Sequence, residues 1–564
     1  MSSSFSASCS TRSCGPFTPR SSLWTPLFRA LIRLSDWKTT ARSSPIRRSG
    51  RRSAGPPISR CCPPRWKSAW ASGWRCLLNA KLRLRWLFRA IVVLPWALPT
   101  VVNAQMWRFI LNSQYGALNA LLTQLHIIGS YQSWLGSPFL ALNMVTMADV
   151  WKNTSLVAFF LLAGLQTISS DLHEAAVVDG ASPWQRFWRI TMPLLKSSIL
   201  VVLVLRTIEA FKVFDIIYIM TRGGPANGTQ SIAYFTYVRA FSDEKLRLWL
   251  GAGLPDRDRH PCPGGVLHPR PTQLGGQRDM SVLTPSRRYS VFVHVMAIAV
   301  CVVILAPFGW LLIASIANDN DLLAVPLHWI PQHPTFDRYV QIFTAQGDNV
   351  FAGFRSSFFN SLIVATSTVL ISTTVGVFGA YAFARLRFRG RRAVLMFFLS
   401  TYMVPPIALV IPMYLVMVQL HLLDTVFGLI VVYSSFATPF VLWIMGNYFQ
   451  SIPFELEEAA RIDGCSRMGA LFRVILPLAR PGLLAMMLFA FLIAWDEFLY
   501  ALIFTSTAAS KTIPVAISEF TGRYTTNFGL QAAGGVLAAL PPVIIAAIFQ
   551  RQIVGGLSGG AVKG

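Results

Sequence analysis

The sequence predicts an all-α, polytopic integral membrane protein, on three observations. Of its 564 residues 53% are hydrophobic and 13% charged, with a mean hydropathy of +0.49, which excludes an ordinary soluble domain. Nine stretches carry the roughly 20 predominantly apolar residues that a bilayer-crossing helix needs. Arginines crowd the short connections between many of them, the pattern of loops retained on the cytoplasmic side.

In the first half the apolar stretches are 87–111, 146–168 and 197–220. In the second they are 291–315, 358–384, 393–420, 425–448, 481–504 and 530–549. Arg287 and Arg288 precede the first of these six, Arg385 to Arg392 fill the second connection, and Arg461, Arg467, Arg473 and Arg480 mark the fourth. The second half therefore reads as a complete six-span unit with both ends inside. In the first half Lys81, Arg83, Arg85 and Arg89 hold the start inside, and three spans leave 221–279 outside. A return span is missing, because 254–280 reads LPDRDRHPCPGGVLHPRPTQLGGQRDM.

The net charge of +26 is concentrated. Residues 1–76 hold twelve arginines, two lysines and one acid, Asp36, together with five of the eight cysteines. Segments 1–76 and 249–279 are expected to be out-of-frame sequence, with Met280 the original start of a second protein; an organelle transit peptide or disordered basic arm is the alternative for the first. A nucleic-acid-binding role would rest on this charge alone. No CxxC pair occurs, so neither a metal site nor a disulfide framework is expected. The domains read as 1–76 (basic), 77–248 (first membrane domain, truncated), 249–279 (polar junction) and 280–564 (second membrane domain, its core about 357–550).

A repeat recurs at a displacement of 284 residues. Residues 173–193 read HEAAVVDGASPWQRFWRITMP, and 457–477 read EEAARIDGCSRMGALFRVILP. Glu174, Ala175, Ala176, Asp179, Gly180 and Pro193 match Glu458, Ala459, Ala460, Asp463, Gly464 and Pro477 without a gap. The Glu-Ala-Ala run favours helix, the glycine ends it in a left-handed turn, and the proline limits how the following helix begins. Paired alanines leave a low surface for a partner, with the acids beside them.

These residues resemble the permease subunits of binding-protein-dependent ATP-binding-cassette importers, of the type I transmembrane fold. The sugar-uptake branch is the nearer one, as two maltose-transporter-type permeases fused in one chain. LPWALP at 94–99, YGALNALL at 115–122 and FDIIYIMTRGGP at 214–225 resemble the first subunit; WDEFLYAL at 495–502 and GLSGGAVKG at 556–564 resemble its companion. The resemblance covers 77–248 and 280–564, and lacks about two initial spans and one final span of the first permease.

It implies two permeases paired about a pseudo-twofold axis in the bacterial inner membrane, with the EAA loops and C-terminus cytoplasmic. Each loop sits on one subunit of an ATPase dimer. A periplasmic or lipid-anchored solute-binding protein, a sugar or polyol substrate and membrane lipid complete the partners, with no nucleic acid. The chain is expected to be a transport subunit and no enzyme, without cofactor or metal. It has no GxxxxGK[ST] phosphate loop, and the GGAVKG tail lacks both spacing and hydroxyl. The alternatives are an importer for a polyamine or amino acid, and a secondary transporter, against which the repeated loop argues.

Ionisable residues inside spans are costly and tend to face a cavity or partner. Glu209, Lys212 and Asp215 stand in the third span, and Asp496 and Glu497 in the eighth. The 284 offset puts Lys212 opposite Asp496 and Phe211 opposite Trp495, so an ion pair between the halves is expected beside the path. The neighbouring Phe214, Phe498 and Tyr500 could stack on a sugar ring, although packing is the commoner role of such aromatics.

Overall fold

The computed structural model describes residues 91–92, 94–166, 168–242, 287–344, 350–520 and 528–561. The segments 1–76 and 249–279 singled out above lie outside the described residues. Arg65–Gly564 forms one compact unit, and every regular element described in it is helical.

In the first half the main ones are α1 Thr100–Ile110, α2 Ala117–Gln124, α3 Pro138–Gln166, α4 Ser170–Val178, α5 Lys196–Lys212, α6 Asp215–Met220 and α7 Ile232–Tyr237. The second half has α8 Arg287–Ile316, α9 Val350–Arg385, α10 Arg391–Met403, α11 Pro406–Gln419, α12 Val426–Ser451 and α13 Glu455–Ile462. It continues with α14 Arg480–Asp496, α15 Leu499–Phe504, α16 Ile513–Glu519 and α17 Phe528–Ala561.

Among the described residues four helices are long and apolar enough to cross a membrane: His294–Ile316, Val350–Arg385, Val426–Ser451 and Phe528–Phe549. A fifth span results if Arg467–Leu478 and Arg480–Asp496, bent by 82°, are counted as one. Four of the nine expected stretches thus fall in these helices, and a fifth, 146–168, lies in the unbroken α3, which carries Asp149 and Lys152. Others are broken, each for a local reason. The stretch 393–420 divides at Val404 and Pro405, both extended, since a residue before proline is pushed out of the helical region. The stretches 197–220 and 481–504 divide at Val213–Phe214 and Glu497–Phe498.

Those last two interruptions belong to a longer correspondence. After Gly180 the chain forms Pro183–Arg186, a π turn Phe187–Thr191, Met192–Leu194, α5 and α6. After Gly464 it forms Arg467–Ala470, a π turn Leu471–Ile475, Leu476–Leu478, α14 and α15, with every boundary displaced by 284 residues. The π turn precedes Pro193 in one copy and Pro477 in the other. Proline donates no hydrogen bond and its ring crowds the preceding turn, so a locally widened helix accommodates it.

One buried apolar cluster joins the halves, drawing Val101 from α1, Ile216 from α6, Val364 from α9, Val432 from α12, Leu488 from α14 and Val536 from α17. The outer faces are also apolar. Val302, Val303, Leu370 and Ile548 are 60 to 68% exposed, a surface that suits acyl chains and would aggregate in water.

The α9–α12 contact relies on small residues. A Cβ on Gly376 would lie 2.6 Å from Val441 Cγ1, and one on Gly379 would lie 2.9 Å from Leu442 Cδ1. Three residues apart, the two glycines share one helix face and admit α12 closely. Gly376→Val is expected to destabilise by about 1–3 kcal/mol through overpacking. Gly309→Ala, which meets nothing within 4 Å, is expected to stay within about 1 kcal/mol of the parent. Thermal unfolding of the detergent-solubilised chain checks both, and equal melting of the two variants would refute the packing account.

Candidate functional site

The repeated loop closes alike in both copies. Asp179 caps α4, Gly180 follows at φ +74°, its N–H donates to Val177 O (3.0 Å), and Ala181 N–H donates to Ala176 O (2.8 Å). In the second copy Asp463 caps α13, Gly464 lies at φ +89°, and Gly464 and Cys465 donate to Arg461 O (3.2 Å) and Ala460 O (3.0 Å). This is the two-bond termination that satisfies the last carbonyls and needs a left-handed residue. Nothing lies within 4 Å of a Cβ at either glycine, so conformation and not space requires it.

Burial follows the same register. Ala176 and Ala460 face inward, while Glu174, Ala175, Asp179, Glu458, Ala459 and Asp463 are exposed. Each loop also presents one bare aliphatic side chain, Val178 at 87% and Ile462 at 86% exposure. Two acids beside an uncovered valine or isoleucine suit a partner that supplies both a pocket and cations.

The anchoring of the two loops differs. Behind α13 the buried Glu457 accepts a 2.6 Å hydrogen bond from Tyr381 Oη and lies 3.3 Å from Arg385 Nε. Arg385 also donates to Ile452 O (3.0 Å) and covers the Phe454 ring. In the first copy His173 stands at the position of Glu457. Sequence reasoning passed over this trio because only one copy carries it.

The interrupted helices meet between the halves. Phe214 and Phe498, equivalent in the repeat, stack with centroids 6.4 Å apart, and Tyr218 lies 5.5 Å from Phe498. The carboxylate of Glu497 accepts from the amides of Tyr500 (2.8 Å) and Ala501 (3.2 Å), capping α15. Asp215 is the first residue of α6. Trp495 is buried, stacks on Phe491 and donates to Ala538 O (3.0 Å), so it packs the core, while Phe211 is exposed.

The lysine found against Asp496 is Lys152 of α3, at 2.8 Å, in place of the Lys212 expected from the repeat. Lys212 has Glu209 at 4.0 Å on its own helix. Thr100 completes the junction: its hydroxyl donates to Asp496 Oδ2 (2.8 Å), its amide donates to Oδ1, and Lys152 also donates to its hydroxyl. A second intramembrane pair, Arg206 to Asp149 at 2.6 Å, ties α5 to α3. Asp149 and Lys152 lie inside the stretch 146–168, whose apolar character concealed them.

A cavity of about 300 Å³ lies beside α6 and α15, the helices that follow the two breaks, lined from both halves by Gln105, Arg108, Tyr218, Arg222, Ser518 and Glu519 among others. The sequence offered one signal for it, the TRGGP run that holds Arg222. Among the described residues no group of His, Cys, Asp and Glu could hold a metal ion.

Comparison with known proteins gives the same duplication. The family described as binding-protein-dependent transport system inner membrane component matches residues 69–311 and 372–558. The sulfoquinovosyl glycerol transport system permease protein SmoH of Agrobacterium fabrum is 36% identical over 260 residues, 46% of this chain and 89% of that protein. The trehalose/maltose transport system permease protein MalG of Thermococcus litoralis is 35% identical over 269 residues, 48% of this chain and 95% of its own. The permease protein MalF of the same system is 48% identical over 161 residues, covering 28% of this chain and 54% of that protein. Since the family match takes in both copies of the loop and both broken helices, the chain belongs to the inner membrane components of binding-protein-dependent transport systems.

Proposed function

We propose that this chain is the permease of an ATP-binding-cassette importer that moves a sugar or polyol inward across the inner membrane. The observation that carries the reading is the duplicated loop, in which the same acids and an equally bare aliphatic side chain recur on one backbone. Relatives named for sulfoquinovosyl glycerol and for trehalose and maltose support a sugar as the solute. A solute-binding protein delivers it from outside, and an ATPase dimer receives the helices around Glu174 and Glu458. ATP-driven closure of the dimer then moves the two loops together, and the broken helices transmit this to the path beside Phe214 and Phe498. A secondary transporter would have no use for two docking loops of this form.

The domains follow the repeat: a truncated first permease at 77–248 and a second at 280–564, paired about the Phe214–Phe498 contact. Segments 1–76 and 249–279 are out-of-frame sequence in this reading, which an uninterrupted frame on resequencing would overturn.

Reversing charge in both loops, Glu174→Lys with Glu458→Lys, should cut ATP-dependent uptake of labelled trehalose or maltose by at least about 10-fold. That corresponds to one docking hot spot of roughly 1.4 kcal/mol or more. Membrane levels of the chain should not change; full uptake would disprove docking through these acids.

Cys465 adjoins Gly464 and is partly exposed, so it reports which side the loop faces. An impermeant maleimide is expected to label it in inverted vesicles and to spare it in right-side-out ones, with Cys465→Ser as the blank. Labelling only in the latter would place the loop outside.

The Lys152–Asp496 pair bridges the halves, and reversal of either charge alone is expected to abolish uptake. The double reversal should recover it in part only, because the amide end of α1 favours an anion at position 496 and opposes a lysine there. A double reversal as inactive as both singles would remove this pair from the mechanism.

A further inference from the structure

The cavity beside α6 and α15 carries more charge than a neutral sugar requires. Arg108 projects from α1, and Arg222 from the turn after α6. Among the described residues neither guanidinium has an ion-pair partner: Arg108 donates one hydrogen bond, to Ile219 O at 3.4 Å. The one acid on the wall, Glu519, is held by Lys511 at 2.8 Å. Two positive charges therefore face the space unneutralised.

The turn that carries Arg222 is fixed. Arg222 itself lies at φ +47° and Gly223 at φ +79°, a left-handed pair that a β-carbon makes costly at the first position. Thr229 Oγ1 holds Gly224 O (2.7 Å) and the Thr221 hydroxyl (2.7 Å), and a Cβ on Gly223 would lie 2.7 Å from Tyr234. The backbone amide of Arg222 reaches back to Ile217 O (2.8 Å). Such a turn sets where the guanidinium can reach. Tyr218, Gln105 and Ser518 line the same cavity, so an aromatic ring and polar side chains stand with the two arginines, a lining that suits a sugar with a charged substituent.

The two carboxylates at the second break are directed elsewhere. Asp496 is paired with Lys152, and Glu497 directs its oxygens to the α15 amides. The geometry points to a site for a sugar that bears an anionic oxygen group, a carboxylate or sulfonate, held by Arg108 and Arg222 as it enters the path. A planar guanidinium recognises such groups in a forked, charge-assisted arrangement. This inference rests on the importer reading for the cavity's place on the solute path, whereas the charge selectivity of the cavity does not.

The test uses the full chain in nanodiscs with a thiol placed on the wall, Ser518→Cys, and the unsubstituted chain as blank. Two methanethiosulfonate reagents differ in charge, one sulfonate and one trimethylammonium. Relative to glutathione, the wall thiol is expected to favour the sulfonate reagent by about 10-fold, the size of effect that like fields produce in a partly dry cleft. Arg108→Gln with Arg222→Gln should return the ratio to that of glutathione, and galacturonate should protect the thiol where galactose does not. Leu502→Cys repeats the measurement should Ser518→Cys fold poorly. A ratio equal to that of glutathione, or equal protection by the two sugars, overturns the site. If ATP-driven uptake of every sugar is absent while the charge preference persists, the importer reading fails and the anion site stands.

Discussion

A helix interrupted within a membrane must find partners for the backbone groups it frees, because no water is present to take them. The interior of this protein is organised around that constraint at two points, Val213–Phe214 and Glu497–Phe498. At the first, Val213 O accepts a 2.6 Å bond from the Ser231 hydroxyl. At the second, Glu497 folds back on the amides of Tyr500 and Ala501. Asp496, one residue earlier, turns outward to the exposed amide end of α1 and to Lys152. One break is thus satisfied by a neutral hydroxyl from a neighbouring helix, and the other by the carboxylate of Glu497, while the adjacent Asp496 joins the halves.

The same backbone therefore carries two unequal chemistries. The boundaries from Gly180 to Met220 recur from Gly464 to Phe504 without a slip, although few side chains agree. What the copies share is what geometry demands: a left-handed glycine, a proline with its widened turn, and a Phe at each break. What they do not share is the charge behind the loop. Glu457 with Arg385 and Tyr381 pins the second loop to α9, and His173 replaces that glutamate in the first.

Much of this was legible in the sequence, and the rest was hidden for physical reasons. Helices such as α9 and α12 are uniformly apolar, and a hydropathy window finds them. A two-residue break does not change such a window, so 197–220 and 481–504 read as continuous. The loop was legible because its acids, alanines and glycine recur in register. The expected Lys212–Asp496 pair shows where repeat arithmetic fails: equivalent positions meet only near the symmetry axis. Phe214 and Phe498 lie there and stack, while Asp496 meets a lysine from a helix two elements earlier. Lys152 and Asp149 escaped notice because hydropathy sums treat two charges in an apolar run as noise.

Which of the ionic contacts can move during transport follows from their exposure. Glu457 and Arg385 are each about 5% exposed, and separating a buried pair of this kind costs about 3–5 kcal/mol, so the second loop and the end of α9 travel as one body. Lys152 is 8% and Asp496 35% exposed, so this half-buried pair costs less to separate than the Glu457–Arg385 pair and more than a surface pair. It is the easier of the two contacts to open. In the importer proposed above, motion delivered at Ile462 and Glu458 moves the end of α9 with the loop through the Glu457 anchor, and the Lys152–Asp496 contact is where the halves part first.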